Sequence, residues 1–316
     1  MAVLASWTGG HNVASFIKEL KRKKVLFLML LPAFIYILIF AYIPMAGSIL
    51  AFKDFRYNLG IFKSPWVWFK NFRFFFISGD ALHVTMNTFM YNLVFIVVNN
   101  FLEITFAIIL SEITGRYFKK ITQSTMFLPY FISWVIAGVI VYNFFNYEFG
   151  AFNGIMKSLG LPPVDVYNNA NWWRVLLVFF SAWKNVGYGT IIYLSAVMGI
   201  DHEMFDAAEI DGANLYQRIR HIILPSLVPT MVLLFLLAVS NIFRGDFGLF
   251  YQLVGTNPLV YDATDIIDTY VFRSLMTSSD IGMAAAAGFY QSVMCFVTII
   301  IVNRIVKKIQ PDYALF

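Results

Sequence analysis

Asp206-Ala207-Ala208-Glu209-Ile210-Asp211-Gly212, followed nine residues later by Ile222-Ile223-Leu224-Pro225, is a polar interruption in a chain that is otherwise almost continuously apolar. Glu203 to Asp211 are good helix formers, Asp201 can cap the start, and Glu203 favours the positive end of the helix dipole. Gly212 supplies the left-handed position that commonly ends a helix. A second short helix is expected over 213–223. Pro225 then suits the first turn of the next apolar run, because its missing N–H has no intrahelical partner there. The order is helix, turn, helix, turn, span. Phe205, Ala207, Ala208, Ile210 and Leu215 are apolar or small, yet belong to a polar loop. An arbitrary loop of this kind would lie as an amphipathic helix on the membrane surface. Here the alanines admit a partner's backbone, Phe205 offers an apolar anchor and Asp206 a charge.

Outward from this loop the chain is apolar on both sides. Of its 316 residues 59% are hydrophobic, 18% aromatic and only 13% charged, more than a soluble core can hide. Six runs, 25–42, 88–110, 124–145, 173–198, 227–242 and 282–306, approach the roughly 20 residues that cross a hydrocarbon core of about 30 Å as helices. Helices satisfy their own backbone where no water is available. The fold class is therefore an all-α polytopic membrane protein with six transmembrane helices. The first run exceeds a signal-peptide core and no small-residue cleavage pattern follows it, so it reads as an uncleaved span.

Lysine and arginine set the orientation. Lys18, Lys21, Arg22, Lys23 and Lys24 abut the first span, and Arg304, Lys307 and Lys308 follow the last. With both termini cytoplasmic, thirteen of the 23 basic residues fall inside. The expected divisions are a cytoplasmic lead over 1–24, with a short interfacial helix through Val13, Phe16, Ile17 and Leu20, a membrane domain over 25–309 with the loop at 201–226, and a tail over 310–316. The aromatic loop 53–83 reads as an interfacial belt, 147–171 as turns with a short helix, and 245–281, with Asp246, Asp262, Asp265, Asp268 and Asp280, as a solvated acidic surface.

Several chemistries are excluded. The net charge of +5 reflects topology and contact with anionic membrane lipid, and no nucleic-acid motif accompanies it. A single Cys295 leaves no disulfide or cysteine metal cluster. His202-Glu203-Met204-Phe205-Asp206 starts like a zinc motif but has Asp206 at the second ligand position, so no metal site is expected. Neither a nucleophile elbow nor a phosphate-cradling loop occurs, so no catalytic residue is assigned and ATP hydrolysis would belong to a partner. An ion-driven carrier would need more intramembrane charges than Glu103 and Lys184.

The Asp-Ala-Ala-x3-Gly-x9-Ile-x-Leu-Pro spacing resembles the Glu-Ala-Ala coupling loop of binding-protein-dependent ABC importer permeases, with aspartate at 206 in place of glutamate. Leu30-Leu31-Pro32, Asn87-Thr88 and Leu128-Pro129 resemble the sugar-importing branch related to maltose and glycerol-phosphate permeases, including the alginate importer. The resemblance covers roughly 25–310. It implies a MetI-like permease fold with cytoplasmic coupling helices, in a bacterial inner membrane. It also implies a second permease forming a heterodimer, two ATPases that bind ATP and magnesium, and an extracytoplasmic binding protein that delivers a carbohydrate, an oligosaccharide or a polysaccharide such as alginate. The chain itself is then non-catalytic and without a cofactor. Phe205, Asp206, Ala207, Ala208, Asp211, Gly212, Leu215, Leu224 and Pro225 become the ATPase-coupling residues. Polar groups at membrane depth, Lys184, Asn185, Asn241, Arg244, Tyr290 and Gln291, are candidates for the substrate path. Asn241 and Arg244 are expected one helical turn apart on a shared face.

Overall fold

The structure is a computed structural model and describes residues 22–77, 79–309 and 311. Most of the 1–24 lead, including its interfacial helix, and all of the tail except Pro311 lie outside the described residues. Among those described there is no strand, only an isolated bridge between Lys53 and Trp66. Five helices are long and apolar enough to cross a membrane: Lys24–Phe52, Asp80–Glu112, Ala170–Met198, Leu215–Val239 and Ile281–Lys308. The sixth span is a bent pair, Arg116–Phe131 and Trp134–Phe145, meeting at 95°. Leu128-Pro129 makes the break. The ring of Pro129 fixes φ and removes a donor, and a 3-10 turn over Leu128–Phe131 ends the first arm. Ser133 caps the second arm by accepting from the Ile136 N–H at 3.3 Å.

The second and fourth spans form the centre. Ala107, Leu110, Tyr193, Leu194, Val197, Ile223 and Leu227 make one core cluster near the 202–210 segment. A second, around Phe95, Val141, Trp173, Leu177 and Phe250, sits towards the opposite end. The first span is uncovered over its most apolar window, and only its far end packs on the last span, with Ala51 buried and Phe52 against Phe289.

One expectation about the fifth span is corrected. No turn separates a short 213–223 helix from it, because Leu215–Val239 runs unbroken. Pro225 is accommodated inside that helix by a π turn over Ile219–Ile223, in which the Leu224 N–H reaches back five residues to the Ile219 carbonyl. One extra residue per turn makes room for a ring that would otherwise strike the carbonyl four positions back. The first span repeats the device, with a π turn over Leu38–Tyr42 just before Pro44.

The 245–281 segment is only in part a solvated acidic surface. It folds as the helices Phe247–Val254 and Ile267–Met276; Asp262 and Asp280 are exposed, whereas Asp246, Asp265 and Asp268 are drawn inward. Asp246 caps the first helix at Leu249 and accepts from the Trp134 indole at 2.9 Å. Asp280 caps Met283. Asp262 meets Arg174 at the surface. Asp265, only 5% exposed, takes both arms of Arg273 at 2.9 and 2.6 Å. A carboxylate removed from water needs such a partner. Arg273→Lys keeps the charge but loses the fork, and should cost about 1 kcal/mol, read as a lower unfolding temperature of the detergent-solubilised protein; an unchanged transition would contradict it.

Candidate functional site

The loop closing the fourth span forms the helix His202–Ile210, capped by Asp201, whose carboxylate accepts from the Glu203 N–H at 3.1 Å. Its other end is a Schellman motif. The Ala213 N–H reaches the Ala208 carbonyl at 2.8 Å, the Gly212 N–H reaches Glu209 at 3.0 Å, and Gly212 sits at φ +70°. Only a residue without Cβ takes that angle freely. Asn214 and Gln217 then form a reciprocal capping box that starts the fifth span. The loop is thus held rigid at both ends.

Its two faces differ from the expectation at one residue. Phe205 points inward and packs against the Ala107–Leu227 cluster, so it roots the helix to its own bundle. Ala208 and Leu224 are half-buried, while Asp206, Ala207, Asp211, Gly212, Leu215 and Pro225 are exposed. The apolar tip is Ile210, 87% exposed, flanked by Tyr216. Asp206 has no hydrogen bond or ion pair among the described residues.

At membrane depth a groove of about 320 Å³ lies between the second, fourth and fifth spans. Asn92, Asn99, Asn100 and Glu103 line it from the second span, Tyr188 from the fourth, and Asn241 and Arg244 from beyond the fifth. From Asn92 to Glu103 the helix rises about 16 Å. Asn92 fixes the mouth by donating to the carbonyls of Ile242 and Arg244 at 2.8 and 3.1 Å. Asn100 accepts from Tyr193 at 2.7 Å, whereas the Asn99 carbonyl is buried without a partner. The Glu103 carboxyl has no hydrogen bond or ion pair among the described residues, and it fits because position 189 is glycine, where any Cβ would run into it. The arrangement offers hydroxyl-binding amides, one carboxyl and one guanidinium.

Of the six residues expected along the path, the groove takes Asn241 and Arg244. They share it through a turn, not a helical face, since the helix ends at Val239 and the Arg244 N–H bonds the Asn241 carbonyl at 2.8 Å. Lys184 donates to the carbonyls of Pro129, Tyr130 and Ile132 at the break in the third span. Asn185 donates to Ser181 one turn back on its own helix. Tyr290 packs on Phe75 and Phe76. Gln291 bridges the Phe243 carbonyl and Asp268, both at 2.8 Å. Burial raises the Asp268 carboxyl above its usual range, an effect opposed by the Gly245 N–H and by Gln291. The stripe Asn92, Asn99, Asn100 and Glu103 is absent from the expected path as a set, although its spacing of seven, eight and eleven residues from Asn92 marks one helical face.

Residues 103–311 match the family described as the binding-protein-dependent transport system inner membrane component. Protein LplB of Bacillus subtilis (strain 168) is 34% identical over 305 residues, 96% of this chain and 95% of that protein. The polygalacturonan/rhamnogalacturonan transport system permease protein YteP of the same organism is 30% identical, over 92% and 90%. Among solved structures, a bacterial ABC transporter involved in the import of the acidic polysaccharide alginate superposes with a TM-score of 0.84 at 30% identity, covering 93% of this chain and 99% of that one.

Proposed function

The chain belongs to the family of inner membrane components of binding-protein-dependent transport systems, and on that premise we propose that it is one permease subunit of an ATP-driven importer of acidic oligosaccharides. The observation that carries this reading is the groove. Asn92 and Asn241 spend their N–H groups on the protein but keep side-chain carbonyls without a hydrogen bond among the described residues, which suit sugar hydroxyls, and Arg244 at the mouth, without an ion-pair partner among the described residues, suits a uronate carboxylate. Relatives that import alginate and polygalacturonan add support.

The partners follow from what this chain lacks. It carries no phosphate-binding loop, so two cytoplasmic ATPases bind ATP and magnesium and grip the rigid 202–225 loop through Asp206, Ala207, Ile210 and Gly212. Aspartate at 206 is one methylene shorter than glutamate, but its carboxylate is exposed and available. A second, homologous permease completes the path and packs near the uncovered first span. A binding protein delivers substrate to the opposite end, and both termini are cytoplasmic.

Reconstitution of the four components tests this, by ATP-dependent uptake of tri-galacturonate with maltotriose alongside. Arg244→Gln should raise KM for tri-galacturonate about fivefold, roughly 1 kcal/mol, and leave maltotriose unchanged. Glu103 within the same groove favours a second reading, a neutral saccharide. Uptake of maltotriose alone would establish that reading against the first.

A further inference from the structure

Lys184 is a charge at membrane depth that lies outside the groove. Its ammonium has three N–H donors, and three carbonyls receive them: Pro129, Tyr130 at 3.1 Å, and Ile132. Pro129 and Tyr130 lie in the last turn of the first arm of the broken third span and Ile132 directly follows it, where the helix dipole leaves partial negative charge. The same ammonium stands 5.0 Å from the centroid of the Trp134 ring, at the start of the second arm. One side chain therefore touches both arms across a 95° bend.

Its neighbours on the same helical face act on the same segment. Gly187, three residues on, lies directly against the Met126 backbone. Tyr188, four residues on, stacks on Tyr130 at 4.8 Å and 12° and also lines the groove. The grip continues past the bend. The Trp134 indole donates to Asp246, which caps Phe247–Val254, and Gly138 of the second arm fits against the Gln252 backbone. In the other direction the fourth span is unbroken to Met198, about 21 Å beyond Lys184, and the 202–210 helix begins four residues later.

From this geometry we infer that Lys184 is a positioning residue for transport: it clamps the broken third span to the fourth, so that displacement of the 202–210 loop is passed to the arm and helix at the groove mouth. It rests on the coupling reading proposed above. A residue that merely caps a helix end would change the amount of folded protein. A residue that transmits motion changes how much sugar moves per ATP.

The test uses the full reconstituted complex with Lys184→Met, and measures ATP hydrolysis together with ATP-dependent uptake of tri-galacturonate and maltotriose. The expected result is hydrolysis within about twofold of wild type and uptake per ATP lowered about tenfold. Lys184→Gln, whose amide still donates to two carbonyls, is expected to assemble and lie between the two. Wild-type uptake per ATP in either assembled variant overturns the inference. So does failure of both variants to assemble, which makes the lysine a folding element only. If the wild-type complex shows no ATP-dependent uptake of either sugar, the importer reading falls first and the clamp with it.

Discussion

Replacing Gly187 by valine should remove nearly all correctly folded protein from the membrane fraction. A Cβ at this position lies 2.9 Å from the Phe127 Cα and closer still to the Met126 carbonyl. Backbone atoms cannot rotate away as a side-chain tip can. The segment is also pinned, by Lys184 on its carbonyls and by Tyr188 stacked on Tyr130. Helices in lipid associate through close packing of small residues, since burial from water no longer drives them. Overpacking there costs about 3 kcal/mol or more, a large share of a total stability of roughly 5–15 kcal/mol. Gly154→Ala is the matched control, because nothing lies within 4 Å of a Cβ at that site. Size-exclusion recovery of the two variants after solubilisation gives the comparison. Equal recovery would mean that the fourth span and the break do not approach as described.

If the proposed ATPases grip this loop, Ile210→Asp should leave the protein folded and weaken their association about thirtyfold, a loss of roughly 2 kcal/mol typical of a central interface anchor. Ile210 is 87% exposed and makes little internal contact, so stability has little reason to change. It stands on a helix fixed by Asp201 at one end and by the Gly212 motif at the other. Phe205→Asp behaves oppositely, because that ring belongs to the internal core cluster and its replacement buries an unpaired charge. Co-purification of each variant with tagged ATPases, beside its melting temperature, separates the two effects. Retained ATPase binding by Ile210→Asp would reject the exposed face as the docking surface.

Most of the architecture was legible because lipid imposes a simple rule. Apolar runs of sufficient length become helices that satisfy their own backbone, and the six runs read from sequence correspond to the five long helices and the bent pair. The 202–210 helix was legible too, since its cap and its left-handed glycine are local physics carried by Asp201 and Gly212, whereas the Asn214 capping box and the unbroken run into the fifth span were not. The polar stripe at Asn92, Asn99, Asn100 and Glu103 was written in helical spacing and needed only to be read as one face.

What the sequence left open depends on residues far apart in the chain. Lys184 reads alone as a buried charge in search of a ligand; only the bend at Pro129, some fifty residues earlier, supplies the three carbonyls that hold it. Asp268 reads as a solvated acid until the last span brings Gln291 against it at 2.8 Å. Phe205 and Ile210 are both apolar residues of one short helix, and the direction in which that helix docks decides which is core and which is surface. The sequence alone therefore determined the membrane spans and the rigid loop, because those follow from hydropathy and local hydrogen bonding. The tertiary structure decided which polar groups line the groove and which hold it open, because a charge in lipid takes its role from the partner that packing brings to it.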